Sequence, residues 1–183
     1  DTDILLTEAI DILVETSRMW LSLGFLSGRD LHFHIHGVTG PDEYTAVVND
    51  NLYTNVMAKA NLHSAARWLK KIEDEHPEEY EAVIRRLALS DAEIASFTEI
   101  ADRMFIPWNE ALGLHSQDEA FLEKQVWDFE ATPPSNYPLL LNYHPLVIYR
   151  HQVLKQSDTV LALYLLGSQF SPEYMLANFD YYD

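Results

Sequence analysis

Cysteine is absent from the 183 residues, which removes disulfide scaffolding, thiolate catalysis and Cys-based zinc sites from consideration. Basic residues are scarce: 12 Lys and Arg stand against 29 Asp and Glu, for a formal charge of −17. A binder of phosphate polyanions or of an anionic membrane surface needs a basic face, so nucleic acid and membrane are not expected partners. No run of about 18 uninterrupted apolar residues occurs, and the opening DTDILLTEAI lacks the basic stretch of a secretory signal. Low-complexity tracts and short tandem repeats are missing too. These absences give a soluble, cytoplasmic protein as the expectation.

Apolar residues are plentiful. At 48% hydrophobic and 12% aromatic, the chain has the means to bury a core. The length suits one domain or part of a larger one. The first residue is Asp1, and the chain stops at NFDYYD without a polar tail, so the expectation is a segment of a longer protein.

Helical spacing of Ile4, Leu5, Ala9, Ile12, Leu13, Met19, Trp20 and Leu23 predicts a helix over 3–24. Ser27-Gly28 would close it, with the glycine as a left-handed cap. LHFHIHGV then alternates, with Leu31, Phe33 and Ile35 against His32, His34 and His36, and reads as a short strand near 31–38. A second helix over 51–72 carries Leu62, Ala65, Ala66, Leu69 and Ile72 on one stripe. A third follows His76-Pro77 with Tyr80, Val83, Ile84 and Leu87. Ser90-x-x-Glu93 is a capping-box pattern that opens another helix towards Met104. Residues 106–144 are irregular and punctuated by Pro107, Pro133, Pro134 and Pro138. A long apolar helix interrupted by KQSD is predicted over 146–166, and Ser171-Pro172-Glu173 opens a last one. Six or seven helices with one or two short strands make an all-α class.

Four constellations could carry chemistry. In TGPDEY, Gly40 permits a tight turn and Pro41 fixes its backbone, so Asp42 and Glu43 sit on a stiff loop. A carboxyl group beside another carboxylate tends to keep its proton, as a general acid must; an exposed acidic turn is the plain alternative. The three histidines of LHFHIHGV resemble a metal clamp, but side chains two apart on a strand are roughly 7 Å apart, too far to share one ion unbent; no metal is expected. Lys155, Gln156 and Asp158 interrupt an otherwise apolar helix, with Lys155 and Asp158 placed to meet at i, i+3. They form either a buried ion pair or a set of groups aimed into a sugar site. Trp108 is a candidate sugar platform, though packing explains a tryptophan more simply.

HGVTGPDEY, DNLYTN and LKQSDTVLALYLLG, in this order, resemble glycoside hydrolase family 65, which holds inverting disaccharide phosphorylases and some hydrolases. The similarity covers essentially the whole chain. It departs at Asn49-Asp50-Asn51, where the family usually has Asp-Asn-Asn. The resemblance implies an (α/α)6-barrel catalytic domain, of which residues 1–183 would supply about half the helices. It further implies Glu43 as general acid, Lys155 and Gln156 as sugar-contacting residues, and inorganic phosphate as co-substrate with no cofactor. The reaction implied is inverting phosphorolysis of an α-linked glucose disaccharide to β-glucose 1-phosphate and glucose. A phosphorylase needs one protein carboxyl, because bound phosphate replaces the base and water of an inverting hydrolase. Asp42 is then a turn-former or a neighbour that raises its partner's pKa. A same-family hydrolase and a non-catalytic helical interaction module remain open. Half a barrel would leave apolar surface exposed, which favours a homo-oligomer, and the segment alone is expected to be inactive.

Overall fold

The computed structural model describes residues 4–183; residue 3, where the first predicted helix begins, lies outside the described residues. The chain forms two compact units, one from Asp1–His34 and Val56–Phe105, the other from Ile35–Asn55 and Ile106–Asp183.

In the first unit a π-helical turn, Leu5–Ala9, runs into α1, Ile10–Leu23. The buried stripe of α1 is Ile10, Val14 and Ser17, at i, i+4 and i+7. The predicted face is different: Ile12, Met19 and Leu23 are exposed. Apolar residues occur on several sides of this helix, so spacing alone does not choose the buried one. Ser17 enters the core because its hydroxyl donates to the Leu13 carbonyl one turn back, at 2.8 Å.

Helix α1 stops four residues before the predicted cap. Gly24 is extended and begins β1, Gly24–Leu26, which pairs with β2, Phe33–Ile35. A Cβ on Gly24 would lie 2.2 Å from the Phe33 ring, so a close approach of strands requires the glycine. The left-handed residue in the connection is Leu31, with φ 63, and it is exposed. All three residues of β2 are buried, so the expected apolar-in, polar-out alternation fails. His34 is stacked on Phe105 at 4.7 Å, and its Nε2 lies 3.1 Å from Asp30. An imidazole packs here as an aromatic ring with its polar edge satisfied.

Helix α2, Leu52–Glu75, belongs to this unit from Val56 onward. It buries Ala58, Leu62, Ala65, Leu69 and Ile72, alternating four- and three-residue steps along one face. Burying each Leu or Ile stabilises by about 1.5–3 kcal/mol before entropy. Helix α3, Pro77–Leu87, starts with Pro77, Glu78 and Glu79 and ends with Arg85 and Arg86, the charge order its dipole favours. Ala88, left-handed at φ 50, terminates it. Helix α4, Asp91–Asp102, is capped by Ser90 Oγ, which accepts from Glu93 N at 3.2 Å. The Glu93 carboxylate in turn takes a hydrogen bond from the Ser90 backbone N–H, the reciprocal half of the capping box. It also accepts from Arg18 Nε at 2.6 Å and Nη2 at 3.0 Å.

The second unit has short elements: β3, Gln125–Val126; α5, Leu139–Asn142; α6, Pro145–Ile148; β4, His151–Gln152; α7, Asp158–Leu165; and α8, Pro172–Tyr182. Strands β3 and β4 are parallel, with Gln125 opposite His151 and Val126 opposite Gln152. Tyr44, Trp127, Leu139, Ile148 and Val153 form its buried apolar cluster. The long helix predicted over 146–166 does not exist. It is replaced by α6, β4, an irregular segment that bends at Lys155-Gln156, and α7, because the Lys155 and Gln156 amides bond elsewhere and Ser157 Oγ starts α7 by accepting from Val160 N. Lys155 and Asp158 therefore do not share a helix face. Helix α8 opens as predicted, with Ser171 Oγ accepting from Tyr174 N and Pro172 at its first turn. Trp108 packs edge-on to His115 at 4.8 Å and against Tyr174 at 4.9 Å, as a packing residue would. Among the described residues no helix is long and apolar enough to cross a membrane.

Candidate active site

The acidic turn lies in a loop closed at its base. Val38 and Val48 exchange both backbone hydrogen bonds, Val38 N to Val48 O at 3.0 Å and Val48 N to Val38 O at 2.8 Å. Between them Gly40-Pro41-Asp42-Glu43-Tyr44 is fixed by more than its glycine and proline. Asp42 is fully buried. Its carboxylate accepts from Tyr44 N within the turn at 3.3 Å, and from Lys155 N at 3.0 Å and Gln156 N at 3.4 Å. Gln117 Nε2 donates to the other oxygen at 3.2 Å. Tyr44 anchors the far side: its ring enters the apolar cluster and its hydroxyl accepts from Leu139 N at 3.2 Å.

Asp158 answers Asp42. Its Oδ1 accepts from Asp42 N at 2.7 Å, and its Oδ2 accepts from Asn51 Nδ2 at 2.8 Å. Its own N–H donates to Gln117 Oε1 at 2.9 Å. Gly40 is forced by this arrangement, since a Cβ there would lie 2.1 Å from Asp158 Oδ2 and 2.6 Å from Asn51 Nδ2. Burial pushes the carboxyl of Asp42 up, against the opposing donation of the Lys155 amide. Burial likewise pushes Asp158 up to about 6, with Asn51 pulling the other way. Desolvation disfavours charge here more than the donors can repay.

The two neighbours of this buried pair point outward. Lys155 Nζ lies 2.6 Å from Glu43 Oε2, with the two side chains 49% and 65% exposed. The ion pair raises the Lys155 ammonium above its ordinary range. Gln156 Nε2 donates to the Pro41 carbonyl. Glu43, Lys155 and Gln156, singled out in sequence, are thus brought together, although Glu43 and Lys155 stand 112 positions apart. The partner expected for Lys155 in a structural pair, Asp158, is engaged by Asp42 and Asn51 instead.

Asn51 and Gln117 were not legible as members of this site. Asn51 Oδ1 caps α2 by accepting from Thr54 N at 3.0 Å while its amide reaches Asp158. The only hint at Gln117 is a polar run, His115-Ser116-Gln117-Asp118, inside an aromatic segment; all four are buried. Asp50, where the sequence departs from the family pattern, is also buried. It accepts from Ile35 N at 3.1 Å and Asn55 Nδ2 at 2.9 Å, which supports the base of the loop and leaves Glu43 untouched.

A carboxyl group held on a stiff turn, beside an ammonium and a primary amide on an opposing loop, suits recognition of hydroxyl-rich ligands and proton delivery to an oxygen. Residues 1–183 match the glycosyl hydrolase family 65 central catalytic domain. An alpha,alpha-trehalose phosphorylase of Geobacillus stearothermophilus is 44% identical over 184 residues, covering 100% of this chain and 24% of that protein. A maltose phosphorylase of Bacillus subtilis is 34% identical over 174 residues, covering 95% of this chain and 22% of that protein. A solved chain titled "Putative kojibiose phosphorylase from human microbiome" superposes with a TM-score of 0.85 at 27% identity, over 100% of this chain and 25% of that one. The chain spans about a quarter of the length of these relatives.

Proposed function

The chain belongs to glycosyl hydrolase family 65, and from that premise we propose that the full-length protein carries out inverting phosphorolysis of an α-linked glucose disaccharide. Its helices would then form part of an (α/α)6 barrel. Glu43 acts as the general acid. A phosphate oxygen attacks the anomeric carbon on the face opposite the glycosidic oxygen as the C–O bond breaks. The Glu43 proton passes to the departing oxygen. The products are β-glucose 1-phosphate and glucose, and the Glu43 carboxylate regains a proton from solvent before the next turnover. Lys155 and Gln156 hold the sugar. An exposed ion pair such as Lys155–Glu43 is weak enough to be exchanged for sugar hydroxyls.

The observation that carries this reading is the meeting of Glu43 with Lys155 and Gln156 across more than 110 positions of sequence, set by the buried Asp42 carboxylate behind them; the Lys155–Glu43 pair opens on sugar binding, and Glu43 then takes up the proton it delivers. The test uses the full-length protein with trehalose, maltose and kojibiose at saturating phosphate. Glu43→Gln is expected to lower disaccharide phosphorolysis by about 10²–10⁴. α-Glucosyl fluoride, whose leaving group needs no proton, should lose far less. Equal losses on both substrates would remove Glu43 from the acid's role. Turnover of wild-type protein that is independent of phosphate would make it a hydrolase.

A further inference from the structure

Asp42, Gln117 and Asp158 are each no more than 1% exposed, and none contacts substrate in the reaction proposed above. Burying two carboxyls and a primary amide is costly unless every lone pair and proton is used. Here they are used in one closed circuit. Gln117 is read in both senses, donating through Nε2 to Asp42 Oδ2 at 3.2 Å and accepting through Oε1 from Asp158 N at 2.9 Å. Asp42 N donates to Asp158 Oδ1 at 2.7 Å, which closes the ring. The remaining Asp42 oxygen, Oδ1, receives the amides of Lys155 and Gln156. The circuit thus links Asp42, the neighbour of Glu43, to the backbone of Lys155, Gln156 and Asp158, with the Gln117 side chain bridging between them.

We infer that Asp42 and Gln117 are positioning residues: their buried hydrogen bond fixes the turn bearing Glu43 against the loop bearing Lys155 and Gln156. This rests on the reading of Glu43 as general acid. Proton transfer to a leaving oxygen depends on placement at hydrogen-bond distance, and a displacement of about 1 Å can cost on the order of 10²-fold in rate. The position of Glu43 is then set by a donor–acceptor polarity that a paired exchange inverts with almost no change in size and none in net charge.

The test is that inversion in the full-length protein. Asp42→Asn keeps an oxygen for the Lys155 and Gln156 amides but turns an NH₂ towards Gln117 Nε2, donor against donor. Gln117→Glu keeps an oxygen for Asp158 N but sets a carboxylate oxygen against Asp42 Oδ2. In the double variant the introduced amide donates to the introduced carboxylate, and the Lys155, Gln156 and Asp158 amides keep their acceptors; only the Thr45 hydroxyl, which donates to Asp42 Oδ2 at 3.4 Å, must turn to accept instead. Each single substitution is expected to lower kcat for the disaccharide about 10²-fold, with a loss under about tenfold on α-glucosyl fluoride. The double variant should return to within about tenfold of wild type on the disaccharide. Equal losses on the two substrates in folded single variants, or a double variant no better than either single, would overturn the inference. Glu43→Gln assayed alongside separates the two ideas. If it retains disaccharide turnover the acid assignment fails, whereas its loss together with an unrescued double variant rejects only the positioning role.

Discussion

In the unit formed by Asp1–His34 and Val56–Phe105, the part of α2 from Val56 onward presents Leu62, Ala65, Leu69 and Ile72 as one buried stripe. In the unit formed by Ile35–Asn55 and Ile106–Asp183, the helices run from four to eleven residues. Fully or nearly fully buried positions there include Asp42, Asp50, Asn51, Asn55, Gln117 and Asp158. The first unit is organised by apolar burial, which is non-directional and tolerates small shifts. The second is organised by hydrogen bonds that fix distance and direction and make an unpaired group expensive. A catalytic acid needs the second kind of support, and Glu43, the residue proposed for that role, is found on it.

Gly40→Ala tests the second kind most severely. The added methyl would meet Asp158 Oδ2 and Asn51 Nδ2 well inside contact distance, and those atoms cannot retreat without breaking their 2.8 Å bond. We expect destabilisation of about 3 kcal/mol or more and, in molecules that still fold, a loss of disaccharide turnover of about 10²-fold. Thermal melting and kcat on the full-length protein measure both. Unchanged melting and turnover would mean the circuit is looser than its geometry.

Leu62→Ala is the matching change in the first unit. A fully buried leucine on a long stripe should cost about 2–5 kcal/mol. The acid's placement does not depend on α2 at this position, so kcat at a temperature well below melting should stay within about twofold of wild type. A fall in kcat comparable to that of Gly40→Ala would erase the distinction between the two units.

The same contrast explains what the sequence showed. Helices α2, α3 and α4 were readable because their apolar periods, Pro77 and the Ser90 cap act within a few residues. The strand at Phe33–Ile35 was found, but its two buried faces were not, since Phe105 reaches His34 from far along the chain. The predicted helix over 146–166 failed for a physical reason. Its apolar composition was genuine, yet the Lys155 and Gln156 amides find a better acceptor in Asp42, more than 110 positions away. Glu43, Lys155 and Gln156 were named through family resemblance. Asn51 carries only the local signature of a helix cap, through Thr54 N, and Gln117 only a short polar run; their bonds to Asp158 and Asp42 are set only when the chain has folded.

Acidity should separate the units next. The folded-state pKa of Asp158 is raised to about 6 by burial, above its unfolded value. Its contribution to stability is therefore fully present below about pH 4 and is lost as pH rises through about 6. Asp42 is displaced in the same direction. The Asp158 share should be about 3 kcal/mol at most. Asp158→Asn should flatten this slope, while lowering stability throughout, because Asn51 Nδ2 then faces another donor. Melting curves from pH 4 to 7 decide it. A variant slope equal to that of wild type would place the titrating group elsewhere.

The smallest effect is expected where the first unit uses a directional contact of its own. Arg18 reaches the Glu93 carboxylate through Nε at 2.6 Å and Nη2 at 3.0 Å, and Nη2 also meets the Leu87 carbonyl at 2.9 Å. This joins α1 to the end of α3 and the start of α4. The two-pronged geometry belongs to a guanidinium, so Arg18→Lys keeps the charge and loses the fork. Both side chains are partly exposed, 30% for Arg18 and 24% for Glu93, so water replaces much of what is lost. The cost should be under about 1 kcal/mol and should shrink further in high salt. Activity should not change, because Glu43 is held by Asp42 and not by this pair. A loss matching that of Leu62→Ala would mean that geometry, and not apolar burial, also governs the first unit.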